Sequence, residues 1–106
     1  MPATTAPDTH YRVCAERLLN QPWPAVNGVT DPAQLSAELA AHLNYYQLPT
    51  PSEQLRFSSA ALTTAATERV VWYRWQPPAA RRRALVVHGY MDHSGLYHHL
   101  IKELLA

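Results

Sequence analysis

Residues 85 to 100 read LVVHGYMDHSGLYHHL and hold four of the six histidines of this 106-residue chain. Histidines and a carboxylate this close together can ligate a metal, activate a nucleophile or brace a loop. Asp92, His93 and Ser94 are the residue types of a hydrolytic triad, but they are consecutive. In a triad the imidazole bridges serine and acid through its two opposite ring nitrogens, and three neighbours on one backbone do not reach that line. Nor does Ser94 sit in a G-x-S-x-G elbow, because Asp92 and Leu96 occupy the two glycine positions. The other serines fail the same test. The stretch therefore carries no nucleophile of its own.

Two readings remain for its chemistry. His88, Asp92 and His93 reproduce most of the H-x-H-x-D-H spacing of metallo-β-lactamase-like hydrolases, and histidine with carboxylate in a tight loop can hold zinc. Tyr90 stands where that pattern has its second histidine, and the remaining ligands are undefined. The other reading needs neither metal nor cofactor. An apolar strand ending at His88-Gly89, a short loop and a helix starting near Ser94 form a unit that can present backbone N–H groups to an anion. The run VVHGYMDHSGLYHHLIKELL resembles the third strand, oxyanion loop and first helix of the α/β-hydrolase superfamily. It is most similar to the monoacylglycerol lipase and lysophospholipase branch, whose loop reads H-G-x-x-E-H-S-G-x-Y. His88, Gly89, His93, Ser94, Gly95 and Tyr97 match that pattern, and Asp92 replaces the usual glutamate.

The resemblance implies a serine hydrolase acting on a carboxylic ester, of monoacylglycerol or lysophospholipid class. The backbone N–H of Tyr90 would help bind the tetrahedral oxyanion, with His88, Gly89, Asp92 and His93 supporting the loop. Serine, acid and histidine would follow beyond Ala106. The chain then reads as an N-terminal portion, inactive by itself, with a lipid-like or small ester as substrate of the whole enzyme. The last helix runs apolar and periodic to Ala106 without a cap or stop, as in a chain cut in mid-fold. The rival from another class is a non-enzymatic interaction module built of two amphipathic helices and a small sheet.

The elements that must position this loop follow from periodicity. RVVWYRW, Arg69 to Trp75, is strongly β-prone, with Val71, Tyr73 and Trp75 on one face and Val70 and Trp72 on the other. Large apolar groups on both faces predict cover on both. LRFSSAAL, Leu55 to Leu62, alternates more weakly, and the resemblance implies that Leu55 to Trp75 forms the leading antiparallel strand pair. The Asp-Gly turn usual in the family is replaced by TTAATE. Ala84 to His88 is a short apolar run of the kind found in buried parallel strands. Beyond the loop, Tyr97, Leu100, Ile101, Leu104 and Leu105 follow the spacing of one helix face. His98 and His99 fall on its flank, where His99 and Glu103 are spaced to pair.

Residues 1–50 lie outside the family core and read as a helical N-terminal extension, leaving 51–106 as the start of the hydrolase domain. Tyr11, Cys14, Ala15, Leu18 and Leu19 mark one buried helix face, with Cys14 a packed thiol. Asn20 to Thr30 breaks that helix with two prolines and a glycine. A second helix is predicted from Asp31, with Pro32 at its first position and Gln34 completing a capping box. Leu35, Leu39, Leu43 and Tyr46 form its apolar stripe, His42 lies beside it, and Pro49 and Pro51 end it. The predicted fold class is α/β: two helices, an antiparallel strand pair, then a strand–loop–helix unit of the hydrolase sheet.

Composition bounds the partners. Hydrophobic content of 47% is that of a globular chain, and a formal charge of +1 implies no strong overall field. Neither nucleic acid nor an anionic membrane is therefore implied. One cysteine allows no internal disulfide. No signal-peptide pattern or long apolar run is present, so the chain is expected in the cytoplasm with no integral membrane segment.

Overall fold

A computed structural model describes residues 12–18, 20–63, 69–87 and 97–106. Residues 12–18 are helical (α1). Strand β1 (Val26–Val29), a single 3₁₀ turn (Pro32–Gln34), helix α2 (Ala37–Tyr45), strands β2 (Arg56–Thr63) and β3 (Arg69–Gln76), and helix α3 (His98–Leu105) follow. The strands form one antiparallel sheet in the order β1-β2-β3. It is a mixed α/β arrangement.

Both strands form where their alternation predicts, and they pair antiparallel in unbroken register from Arg56 opposite Gln76 to Thr63 opposite Arg69. Phe57, Ser59 and Ala61 share a face with Trp75, Tyr73 and Val71. Phe57 and Ser59 are fully buried there, and the other face stays open except at buried Ser58. Strand β1 was not legible as a strand: its residues lie in the stretch predicted only to break a helix. It pairs with β2 through a bulge, with Val26 opposite Ser59 and Val29 opposite Phe57, so three steps on β1 match two on β2. Gly28 absorbs the extra residue at φ +64°, and its N–H donates to Ser58 Oγ at 2.8 Å.

The second helix starts later than its sequence suggests. Asp31 does cap, its carboxylate accepting from the Ala33 N–H at 3.0 Å, but what it caps is the one-turn 3₁₀ segment. The α-helix takes Ser36 as its own N-cap, with Oγ accepting from the Leu39 N–H at 3.1 Å. Buried Leu35, in extended backbone between the two, anchors the junction in the core. The predicted stripe holds: Leu35, Leu39 and Leu43 are buried and Tyr46 is half-buried. The helix is stopped before Pro49 by a Schellman turn. Leu48 N–H donates to Leu43 O at 2.9 Å, Gln47 N–H donates to Asn44 O at 3.2 Å, and Gln47 sits at φ +57°.

Helices α2 and α3 cover the same side of the sheet. Val29, Leu35, Leu39, Leu43, Leu48, Phe57 and Ile101 make one core, with Tyr73, Trp75, Tyr97 and Leu105 packed around it. Helix α3 buries a narrower stripe than its periodicity predicts, for Leu100 and Leu104 remain exposed. Helix α1 buries Cys14 and Leu18 as expected. It is tied down by Arg69, whose guanidinium donates to Leu18 O and Gln21 O, both at 2.8 Å, and lies 5.9 Å from the Trp23 ring centre.

The predicted strand Ala84–His88 does not form over its described part. Residues 84–87 have no regular structure, and Leu85 is 89% and Val87 77% exposed. A parallel strand is stable only between neighbours that satisfy its backbone, and no strand lies beside it among the described residues. The cover predicted on both faces of β3 is also one-sided. Val70 is 50%, Trp72 37% and Leu62 60% exposed on the outer face.

Candidate functional site

The loop residues that carry the hydrolase resemblance, His88, Gly89, Tyr90, Asp92 and His93, lie outside the described residues, as do Ser94 and Gly95. Their two flanks are described. On one side the apolar Ala84–Val87 run stands unpaired. On the other, Tyr97 and α3 are packed against the core through Ile101.

The first turn of α3 presents two histidines. The rings of His98 and His99 lie 4.0 Å apart, so His99 packs on its neighbour, and no His99–Glu103 ion pair forms among the described residues. His98 Nδ1 is shielded from solvent with no hydrogen-bond partner among the described residues. Its pKa is lowered from the ordinary histidine value, first by desolvation and then by the charges of His99 and Lys102. Its ring is therefore the neutral form near pH 7, a donor–acceptor rather than a cation.

A second constellation lies between α2 and the sheet. The Tyr73 hydroxyl and His42 Nε2 are 3.0 Å apart, and the two rings stack at 5.8 Å. Tyr46 and Trp23 meet the His42 ring edge-on at 5.3 and 6.4 Å. Below them, Trp23 Nε1–H donates to Ser59 Oγ at 2.9 Å, and Ser59 Oγ–H donates to Trp72 O at 2.8 Å. Ser59 is fully buried and its hydroxyl proton is committed to a carbonyl, so it is no nucleophile. This set is a satisfied polar seam inside an aromatic core. Neither His42 nor Ser59 acquires a catalytic geometry from it. Sequence reasoning placed His42 beside the stripe but could not find its tyrosine partner 31 residues away.

Among the described residues no group of three histidine, cysteine or carboxylate side chains is placed to hold a metal. A depression of about 70 Å³ between α1 and α2, lined by Arg17, Gln21, Pro22 and Glu38 among others, is far smaller than the several hundred Å³ of a typical small-molecule site. Arg17 and Glu38, paired at 3.4 Å, are both among its lining residues. No helix among the described residues is long and apolar enough to cross a membrane. Compared with family models, curated proteins and solved structures, the chain matches none.

Proposed function

We propose that this chain supplies the oxyanion-loop portion of a serine hydrolase acting on carboxylic esters of monoacylglycerol or lysophospholipid class. One structural observation supports the reading beyond the motif itself. Ala84–Val87, a sequence suited to a sheet interior, stands without a sheet directly ahead of the H-G-Y-M-D-H-S-G-L-Y run. In the resembled fold that strand is separated from the leading pair by a strand formed later in the chain, and among the described residues β3 pairs along one edge only. An apolar segment left 89% exposed at Leu85 is what that arrangement leaves when the neighbour is not supplied.

In this reading the Tyr90 N–H points its dipole at the developing oxyanion, and a second N–H comes from the residue after the nucleophilic serine. His88, Gly89, Asp92 and His93 support the loop, and no cofactor takes part. None of the 106 residues serves as nucleophile, so the chain alone is silent toward esters.

The test is made on the natural gene product that carries this sequence. A fluorophosphonate probe should label one serine, and a short-chain ester should be turned over. Tyr90→Pro removes the backbone donor and should lower kcat by roughly 10²–10³, whereas Tyr90→Ala keeps the donor and most of the turnover. Melting curves establish that both variants remain folded. A gene product that the probe does not label, or equal damage from both variants in folded protein, overturns the assignment. Stoichiometric zinc lost on His93→Ala would instead favour a metal site at His88, Asp92 and His93.

A further inference from the structure

The outer face of the sheet carries exposed apolar residues at one end and arginines at the other. By register, Ala60 lies opposite Trp72 and Leu62 opposite Val70, and these four form a continuous apolar patch at one end of the β2–β3 pair. Trp72, Val70 and Leu62 are all exposed. At the other end the same face carries exposed Arg74, Arg56 and Gln76 around Ser58, which is itself buried beneath the Gly28 bulge. The chain leaves β3 at this basic end, makes a turn in which Ala80 N–H donates to Pro77 O, and continues into exposed Arg81, Arg82 and Arg83.

None of these five arginines is in an ion pair among the described residues, where the pair found is Arg17–Glu38. The near-neutral net charge conceals this. Residues 55–87 hold six arginines and one glutamate, a net +5, while the rest of the chain holds three basic and seven acidic side chains, a net −4. Strands β2 and β3 contain no carboxylate at all.

We propose that this face docks on an anionic lipid surface, with Trp72, Leu62 and Val70 entering the headgroup boundary and Arg56, Arg74 and Arg81–Arg83 meeting lipid phosphates. Tryptophan, with its apolar ring and polar N–H, is the side chain most suited to that boundary. Each arginine held near such a surface strengthens attachment about five-fold. A nucleic acid would use the arginines but gain nothing from Leu62 and Val70. A second copy of the chain would cover the apolar patch only by bringing together two segments that each hold net +5 over residues 55–87. The inference stands independently of the hydrolase reading, since it rests on β2 and β3 and not on the loop.

The experiment is sedimentation of the full chain with sucrose-loaded vesicles, either pure phosphatidylcholine or one-third phosphatidylglycerol, at low and high salt. The chain should co-sediment with the anionic vesicles alone, and high salt should release it. Arg56→Gln with Arg74→Gln should weaken binding about 25-fold, and Leu62→Ser about ten-fold. Because substitutions in a strand can disturb folding, a second measurement uses the wild type. Brominated acyl chains should quench part of its tryptophan emission, and the fold-preserving Trp72→Phe should abolish that quenching. Four outcomes overturn the proposal: no co-sedimentation, equal binding to both vesicles, quenching that survives Trp72→Phe, or a dimer in light scattering that Leu62→Ser dissociates. Binding to a single-stranded oligonucleotide as tight as to the anionic vesicles, and unaffected by Leu62→Ser, would overturn it as well.

Discussion

Ser59 is the residue on which the polar interior turns. Its hydroxyl is the only acceptor shown for the Trp23 indole N–H and also donates to Trp72 O, all inside an aromatic core. Ser59→Ala should cost about 1–3 kcal/mol, because it leaves the indole N–H desolvated without an acceptor. A urea-melt cycle with Trp23→Phe checks the cause: the two changes together should cost less than their sum, since Trp23→Phe removes the orphaned donor. Gln47 offers the opposite sign. It holds a left-handed conformation at φ +57° that a Cβ disfavours. Gln47→Gly should raise stability by roughly 0.5–1 kcal/mol, the relief exceeding the added freedom of the unfolded chain. His98 sets a pH dependence. Its folded pKa lies below its unfolded one, so the unfolded chain binds the proton more readily, and stability rises with pH through the window below about 6.5. Acidification through that window should therefore destabilise the protein. The difference between wild type and His98→Gln, followed by thermal melting at several pH values, isolates this contribution, and a pH-independent difference would refute it.

At the scale of elements, the bulge in β1 is the point most sensitive to a small change. A Cβ at Gly28 would meet no atom within 4 Å, so Gly28→Ala tests backbone conformation alone. It should cost about 1–2 kcal/mol, the penalty of a left-handed non-glycine residue, measurable by denaturant unfolding with no change in slope. The same element shows why parts of the fold were legible and others were not. Strands β2 and β3 announce themselves because their alternation is local, and the α2 stripe repeats every turn. β1 does not, since only its pairing to Ser58 and Ser59, some thirty residues on, makes Asn27-Gly28 a bulge and not a loop. The start of α2 was misplaced because two capping residues five positions apart, Asp31 and Ser36, are both used, one for a 3₁₀ turn and one for the helix. The candidate loop was legible as a motif, in residue types and order, but its described flanks show no pairing for Ala84–Val87, since that depends on a neighbouring strand. The Val70–Trp72 face of β3 has the apolar groups of a covered face, and its exposure is what points to a surface role.

For the whole molecule, the core is one-sided: helices on the inner face, an uncovered sheet on the outer, and an unpaired apolar run at 84–87. Exposed β-prone segments of this kind recruit each other. Leu85→Lys with Val87→Lys should leave the melting temperature nearly unchanged, because neither side chain is packed, while lowering the rate of aggregation seen in light scattering. A large drop in melting temperature would instead mean that residues 84–87 contribute to the folded core. The Arg69 anchor orders events in time. Its two hydrogen bonds reach back 51 and 48 residues to Leu18 and Gln21. The two bonds that fasten helix α1 therefore cannot form until the chain has been made as far as β3. The last carbonyls of α1 wait in water until then. A charge-removing Arg69→Met should thus speed unfolding while leaving the refolding rate nearly unchanged, and amide exchange in α1 should quicken to the rate of local opening while β2 keeps its protection.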